Sequence, residues 1–211
     1  KIVNEIDRLA YDSMKVWKSY FKDSYSKIIE LFYGQIVSTF RNMNGKVLSR
    51  NYDPLCFFSL EIPRTINNVN IYDCFNLFTK PEILDGDNQY RCEDTEQLID
   101  AQKDIKFWSF PKILIISFKR FNAMGFKVGD FINFPTENLD LSRYCVGYDK
   151  KKYVYDLYAI CNHTGGLNGG HYYSYCKNLN GKWHCFNDKS VTEIDKNIVS
   201  KDAYVLFYRQ K

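Results

Sequence analysis

The chain has 211 residues, 45% of them hydrophobic and 17% aromatic, with 26% charged and a net charge of +4. That is enough for one sizeable domain with its own core, and so small and dispersed a positive excess gives no reason to expect a nucleic-acid partner. The longest apolar runs, such as Ile113-Leu114-Ile115-Ile116, are far too short for a membrane span, and Lys1-Ile2-Val3-Asn4-Glu5 does not read as a signal peptide.

Seven cysteines occur, an odd number with no C-x-x-C pair, which argues against a disulfide framework and a zinc ribbon. Free thiols in this number suit a reducing compartment, so a cytoplasmic location is expected, with the nucleus as alternative. From the start, Ile6, Leu9, Ala10, Val16, Trp17 and Tyr20 recur near helical spacing, with Ser13 interrupting that face. This helix shows no evident beginning and should end near Phe21. Asp23 or Ser24 is placed to cap a second, short helix through Phe32, stopped by Gly34. Residues 35–62 then read as strands: Ile36, Ser38 and Phe40 alternate with Val37 and Thr39, and Asn42-Met43-Asn44-Gly45 is a hairpin turn. A further strand over 56–62 closes at Pro63. Asn70, with Asp73 three residues on, caps a helix over 71–78.

Residues 82–106 are polar and ambiguous, and 113–118 is apolar enough for a central strand. The stretch 122–133, with Gly125 and Gly129, reads as loop. The C-terminal third is dense in strands, at 153–161, 172–176, 182–186 and 203–208, with a turn at Asn178-Leu179-Asn180-Gly181. The reading is α+β, dominated by antiparallel sheet.

Only His163, His171 and His184 are present. His171 follows Gly165-Gly166-Leu167-Asn168-Gly169-Gly170 and opens a strand. Four glycines in six positions sacrifice backbone entropy for a loop that can move or admit another backbone closely. If the 172–176 and 182–186 strands pair through the Asn180-Gly181 turn, Asn187-Asp188 returns beside His171. That would set a base next to its orienter, as nucleophilic catalysis requires. A strand-end histidine after a flexible hairpin, and an Asn-Asp turn, remain the plainer alternatives.

Three segments make the pattern specific: Asn162-His163-x-Gly165-Gly166-x-x-Gly169-Gly170-His171-Tyr172, Trp183-x-x-Phe186-Asn187-Asp188, and Ala203-Tyr204-Val205-Leu206-Phe207-Tyr208. Together they resemble the histidine box of the ubiquitin-specific proteases. Leu31-Phe32-x-Gly34-Gln35, Tyr52-Asp53-Pro54, Pro111-x-Ile113-Leu114, Phe118-Lys119-Arg120-Phe121 and Phe134-Pro135 agree with that family in order and spacing. The resemblance implies a papain-like α+β fold with an antiparallel palm and fingers. Residues 1–34 would be helices leading into the fingers, 35–110 mainly fingers, and 111–211 the palm. It implies His171 as general base, Asn187 as its orienter and Asp188 as an acidic neighbour. Residues 163–170 and 122–133 would be mobile loops over the ubiquitin tail. His163, Gly169, Gly170 and Tyr172 would line a channel narrow enough to demand the tail's two glycines. A bulky side chain at Gly170 should then abolish cleavage and leave the fold intact.

Two departures from the family pattern carry consequences. Its Asn-Thr-Cys nucleophile box is absent, and Cys161 and Cys176 read as small buried residues on strands. This chain is therefore expected to supply the base and its orienter without the cysteine, and to be inactive alone. The four zinc-binding fingertip cysteines of many members fall here on Asn42, Gly45, Cys92 and Thr95, so no metal and no other cofactor is expected. The expected partners are ubiquitin and ubiquitinated proteins. A catalytically inactive ubiquitin-binding module of the same fold is the competing reading.

Overall fold

The computed structural model describes residues 2–93, 95–195 and 197–211. Helix α1 (Glu5–Phe21) does have a start. The Asn4 side chain accepts from the Asp7 amide, and the Asp7 carboxylate accepts from the Asn4 amide. This reciprocal cap uses a short aspartate where the commoner pattern has Glu or Gln. Ser13, expected to interrupt the buried stripe, is 1% exposed because its hydroxyl donates to the equally buried Gln35 carboxamide. Leu9, Ala10, Val16 and Trp17 are half-buried around it, while Ile6 and Tyr20 stay exposed. Helix α2 (Lys27–Phe32) begins after Ser26. Asp23 and Ser24 lie instead in the turn that closes α1, where the Ser24 amide donates to the Phe21 carbonyl at 2.9 Å.

Strands β1 (Gly34–Asn42) and β2 (Val47–Leu55) form the expected hairpin. Asn42 accepts from the amides of Asn44 and Lys46, and Gly45 takes φ 82°. Strand β3 (Phe58–Leu60) is the core of the expected 56–62 strand. Helix α3 (Ile71–Phe78) carries the Asn70–Asp73 capping box and buries Ile71, Cys74 and Phe75. The ambiguous 82–106 region resolves into β4 (Glu82–Leu84), β5 (Tyr90–Arg91), β6 (Leu98–Ile99) and the start of β7 (Ala101–Ser109). Then follow β8 (Ile113–Phe118), β9 (Leu139–Asp140), β10 (Val154–Gly166), β11 (Gly169–Lys177), β12 (Trp183–Asn187), β13 (Ser190–Ile194) and β14 (Ala203–Gln210).

The strands form two main sheets. The fingers have the order β2-β1-β7-β4, and β5 with β6 makes a separate ribbon. The palm has the order β13-β12-β11-β10-β14-β8-β3, with β9 on β10. Its pairs are antiparallel except β3 with β8. Strand β3 thus leaves the 35–110 segment to join the palm, and α3 buries its apolar face in the same core. An aromatic cluster ties palm to fingers: Phe107 stacks on Phe110 at 4.1 Å, Phe58 meets Phe107 at 5.3 Å, and Phe75 meets Tyr144 at 5.2 Å. Near the β5–β6 ribbon, Tyr90 stacks on Phe40 at 5.0 Å and donates to the Ser49 hydroxyl. Among the described residues no group of three or more His, Cys, Asp or Glu is arranged to hold a metal.

Arg120 is the largest fully buried side chain, at 1% exposure. Its Nε donates to the Ala203 carbonyl at 2.7 Å and its Nη1 to the carbonyls of Val128 and Asp130 at 3.0 and 2.9 Å. It clips the 122–133 segment, loop as expected, to the start of β14. Arg120→Met should strand these acceptors and cost roughly 3 kcal/mol. The check is a lower urea midpoint at unchanged slope.

Candidate active site

His171 is the third residue of β11 and lies opposite Thr164 of β10. On the other side, Ser174 pairs with Phe186 and Tyr175 with Cys185. One further step brings Asn187, the last residue of β12, beside Tyr173 and diagonal to His171 on the same face. The His171 Nε2–H donates to Asn187 Oδ1 at 2.6 Å. With the proton held at Nε2, Nδ1 carries the lone pair and can act as base. The His171 side chain is 46% exposed, so this nitrogen is reachable from outside.

Asp188 lies in the turn between β12 and β13, where Asn187 pairs with Ser190. Its φ of 50° is left-handed, a conformation that Asp and Asn tolerate best after glycine. Its carboxylate is 4.0 Å from His171 Nε2, beyond hydrogen-bond distance, and 78% exposed. It is a charged neighbour of the imidazole through a well-solvated gap, and Asn187 is the direct partner.

The glycine-rich segment is tighter than expected. Strand β10 runs on to Gly166 and β11 restarts at Gly169, leaving a two-residue turn at Leu167-Asn168. Gly165 needs its φ of 93° to make this turn. The second loop reaches across to it: a Cβ on Gly125 would sit 3.0 Å from the Leu167 side chain, and Lys127 Nζ donates to the His163 carbonyl.

His163, expected as a channel wall, lies underneath. It is 4% exposed, with its ring 4.5 Å from Tyr172 and 5.7 Å from Tyr204. Burial pushes its pKa down, and the nearby Lys127 charge adds to this. A Cβ on Gly170 would come within 2.4 Å of the His163 Nε2 and 2.5 Å of the Thr164 carbonyl. Strand pairing and the surrounding rings hold both of those atoms. Replacing Gly170 would therefore disturb the strand pair, which corrects the expectation of an intact fold. Gly169 has nothing within 4 Å of its Cβ position, and Tyr172 is 55% exposed. Of the four expected wall residues, these two lie open.

The thiols on the same strands do not reach His171. Cys161 is three residues from Thr164 along β10 and Cys176 five from His171 along β11, so both lie on the opposite face. Cys185 is opposite Tyr175, about 13 Å along the strand from His171. Burial raises the Cys161 pKa. Sequence reasoning missed Tyr173, whose ring lies beside the imidazole, and Asp202, Lys127 and Arg120, which hold Tyr173 and the 122–133 segment in place. The alternation His171-Tyr173-Tyr175 was a readable signal for Tyr173, whereas nothing local marks Asp202.

Comparison with known proteins agrees with this fold. The family pattern described as ubiquitin carboxyl-terminal hydrolase matches residues 3–208. Ubiquitin carboxyl-terminal hydrolase 2 of Gallus gallus is 37% identical over 211 residues, covering 96% of this chain and 59% of that protein. The Homo sapiens protein of the same name is 38% identical over 203 residues, covering 92% and 33%. Among solved structures, the yeast SAGA DUB module with an Sgf73 mutant superposes with a TM-score of 0.77 at 28% identity, covering 100% of this chain and 46% of that one. The SAGA DUB module Ubp8/Sgf11/Sus1/Sgf73 bound to monoubiquitin gives 0.75 at 29%, covering 97% and 48%. The chain belongs to the ubiquitin carboxyl-terminal hydrolase family, in its ubiquitin-specific protease branch. It spans between a third and three-fifths of the length of these relatives.

Two outcomes are expected. Gly170→Ala should lower thermal stability, whereas Gly169→Leu should leave it unchanged, read by melting temperature. Neutral, buried His163 protonates in the unfolded chain near pH 6.5 and in the folded protein only at lower pH. Its contribution to stability is present above about pH 6.5 and lost as the pH falls below that value. Urea midpoints at pH 7.5 and 5.5 should therefore separate more for the wild type than for His163→Asn.

Proposed function

We propose that this chain forms the histidine-bearing part of a deubiquitinating cysteine protease. The observation that carries the reading is the 2.6 Å bond from His171 Nε2–H to Asn187 Oδ1, which leaves Nδ1 free as a base on an exposed strand end. The nucleophilic cysteine comes from a segment outside these 211 residues. The His171 Nδ1 takes the thiol proton, and the thiolate attacks the carbonyl of ubiquitin's terminal glycine. The same imidazole returns the proton to the leaving amine, and water then hydrolyses the thioester. Asn187 keeps the ring in the tautomer this cycle needs, and Asp188 stands beside it across a solvated 4.0 Å gap without a direct bond.

His163 supports the channel from below, while Gly169, Gly170 and Tyr172 form its wall. The substrates of the reading are ubiquitin and ubiquitin-modified proteins. The cysteines form no disulfide among the described residues, which suits a reducing compartment, cytosol or nucleus.

The test uses the full-length protein and ubiquitin carrying an electrophile at its C-terminus. A covalent adduct on a cysteine outside this chain is expected. His171→Ala should slow both adduct formation and turnover by roughly 10³-fold. Asn187→Ala should cost about 10- to 100-fold and Asn187→Asp much less. Ubiquitin binding with no adduct would establish the non-catalytic module instead.

A further inference from the structure

Among the described residues the His171 imidazole has a single hydrogen-bonding partner, Asn187 at Nε2, and nearly half of the side chain faces solvent. One bond at one ring atom fixes a distance and leaves the imidazole free to tilt about it. A second restraint is needed to keep Nδ1 aimed where a thiol would lie. Only one described ring packs on it. Tyr173, two residues along β11 and on the same face, lies nearly parallel to the imidazole, at 18° with centroids 6.5 Å apart. Tyr173 itself packs edge-on against Tyr175 at 5.5 Å, and Tyr175 is 6% exposed in the core. The imidazole thus stands at the open end of a three-ring column rooted in the palm.

The column is also pinned from the side. The Tyr173 hydroxyl donates to the Asp202 carboxylate at 3.1 Å. Asp202 is fixed in turn, because its carbonyl accepts the His163 amide at 2.9 Å and its own amide donates to the Ser200 hydroxyl at 3.3 Å. The positive charges of Arg120 and Lys127 lie near its carboxylate. Burial pushes the Tyr173 phenol well above its ordinary range, so it remains a donor at any working pH.

We propose that Tyr173, locked by Asp202, is a positioning residue that sets the tilt of the His171 ring. The inference rests on the reading of His171 as general base. It predicts a loss in the chemical step with substrate binding spared. With the full-length protein and a fluorogenic ubiquitin substrate, Tyr173→Leu removes the ring and should lower kcat about tenfold, with KM within twofold. Tyr173→Phe keeps the ring and loses the hydroxyl, and should lower kcat about threefold. Asp202→Ala should match Tyr173→Phe, the double variant should be no worse than either, and Asp202→Asn should recover most of the loss because its carboxamide oxygen still accepts.

An unchanged kcat in Tyr173→Leu would overturn the proposal. So would an Asp202→Ala effect that adds fully to that of Tyr173→Phe, or a kcat loss in Tyr173→Phe matched by an equal rise in KM. His171→Ala serves as the separate control. If it retained full activity the general-base reading itself would fail, whatever the Tyr173 series showed.

Discussion

The pairing of β11 with β10 on one side and β12 on the other sets Thr164 opposite His171 and Phe186 opposite Ser174, and every property of the site follows from that register. Side chains alternate across a strand, so a slip of one residue would move His171 to the other face and separate it from Asn187. The register is held by what lies further along the same strands. Ile160 and Tyr175 are buried on the face that carries His171, and neither can move to the opposite face without losing its place in the core. The turn at Asn178–Gly181 fixes the β11–β12 pairing at its far end, with Gly181 supplying a φ of 82°. The 2.6 Å contact between imidazole and carboxamide is therefore delivered by packing more than 10 Å away, at a cost already met by the fold.

A second constraint acts at right angles to the strands. The 122–133 segment has little regular structure of its own, and two cations hold it. Buried Arg120 takes the carbonyls of Val128 and Asp130, and Lys127 donates to His163 on β10. A buried guanidinium is costly to desolvate, and here most of its donors meet main-chain acceptors, with Nη2 unpaired. The arrangement links the loop to β14 and to the strand beside His171, while its tip residues Met124 and Phe126 remain exposed. The base of the loop is thereby anchored next to the site, and its end is free to meet a ligand.

The sequence was most legible where a local rule and the tertiary structure agree. The Asn70–Asp73 box predicted α3, the Asn42–Gly45 turn predicted the β1–β2 hairpin, and the largely apolar run at 113–118 predicted a central strand. Legibility failed where both faces of an element are mixed. Gln102, Lys103, Asp104 and Lys106 of β7 hide a strand that is buried chiefly at Ala101 and Phe107. Strand β13 lies at the sheet edge and is exposed over most of its length, so no buried face marked it. The site divides the same way. His171 and Asn187 could be found because a hairpin brings them together through a short, readable turn. Asp202 and Arg120 reach Tyr173 and the loop across 29 and 8 residues of chain, through contacts that no periodicity encodes. Ser13 is the converse case: a polar residue on an apolar stripe is the most buried residue of its helix once Gln35 meets it.

His163 and Gly170 show how packing and function become one requirement. A glycine beside a candidate channel invites explanation by the substrate alone. Here the first demand comes from below, because the buried imidazole and the Thr164 carbonyl already occupy the space a Cβ would need. The imidazole is held there by Tyr172 and Tyr204, and Lys127 holds its carbonyl, so it has nowhere to retreat. The absence of a side chain at Gly170 is thus required by the packing beneath it. Gly169 meets no such neighbour, so the fold leaves room for a side chain there. Two adjacent glycines therefore differ in kind, because the fold itself demands Gly170 and places no steric demand on Gly169.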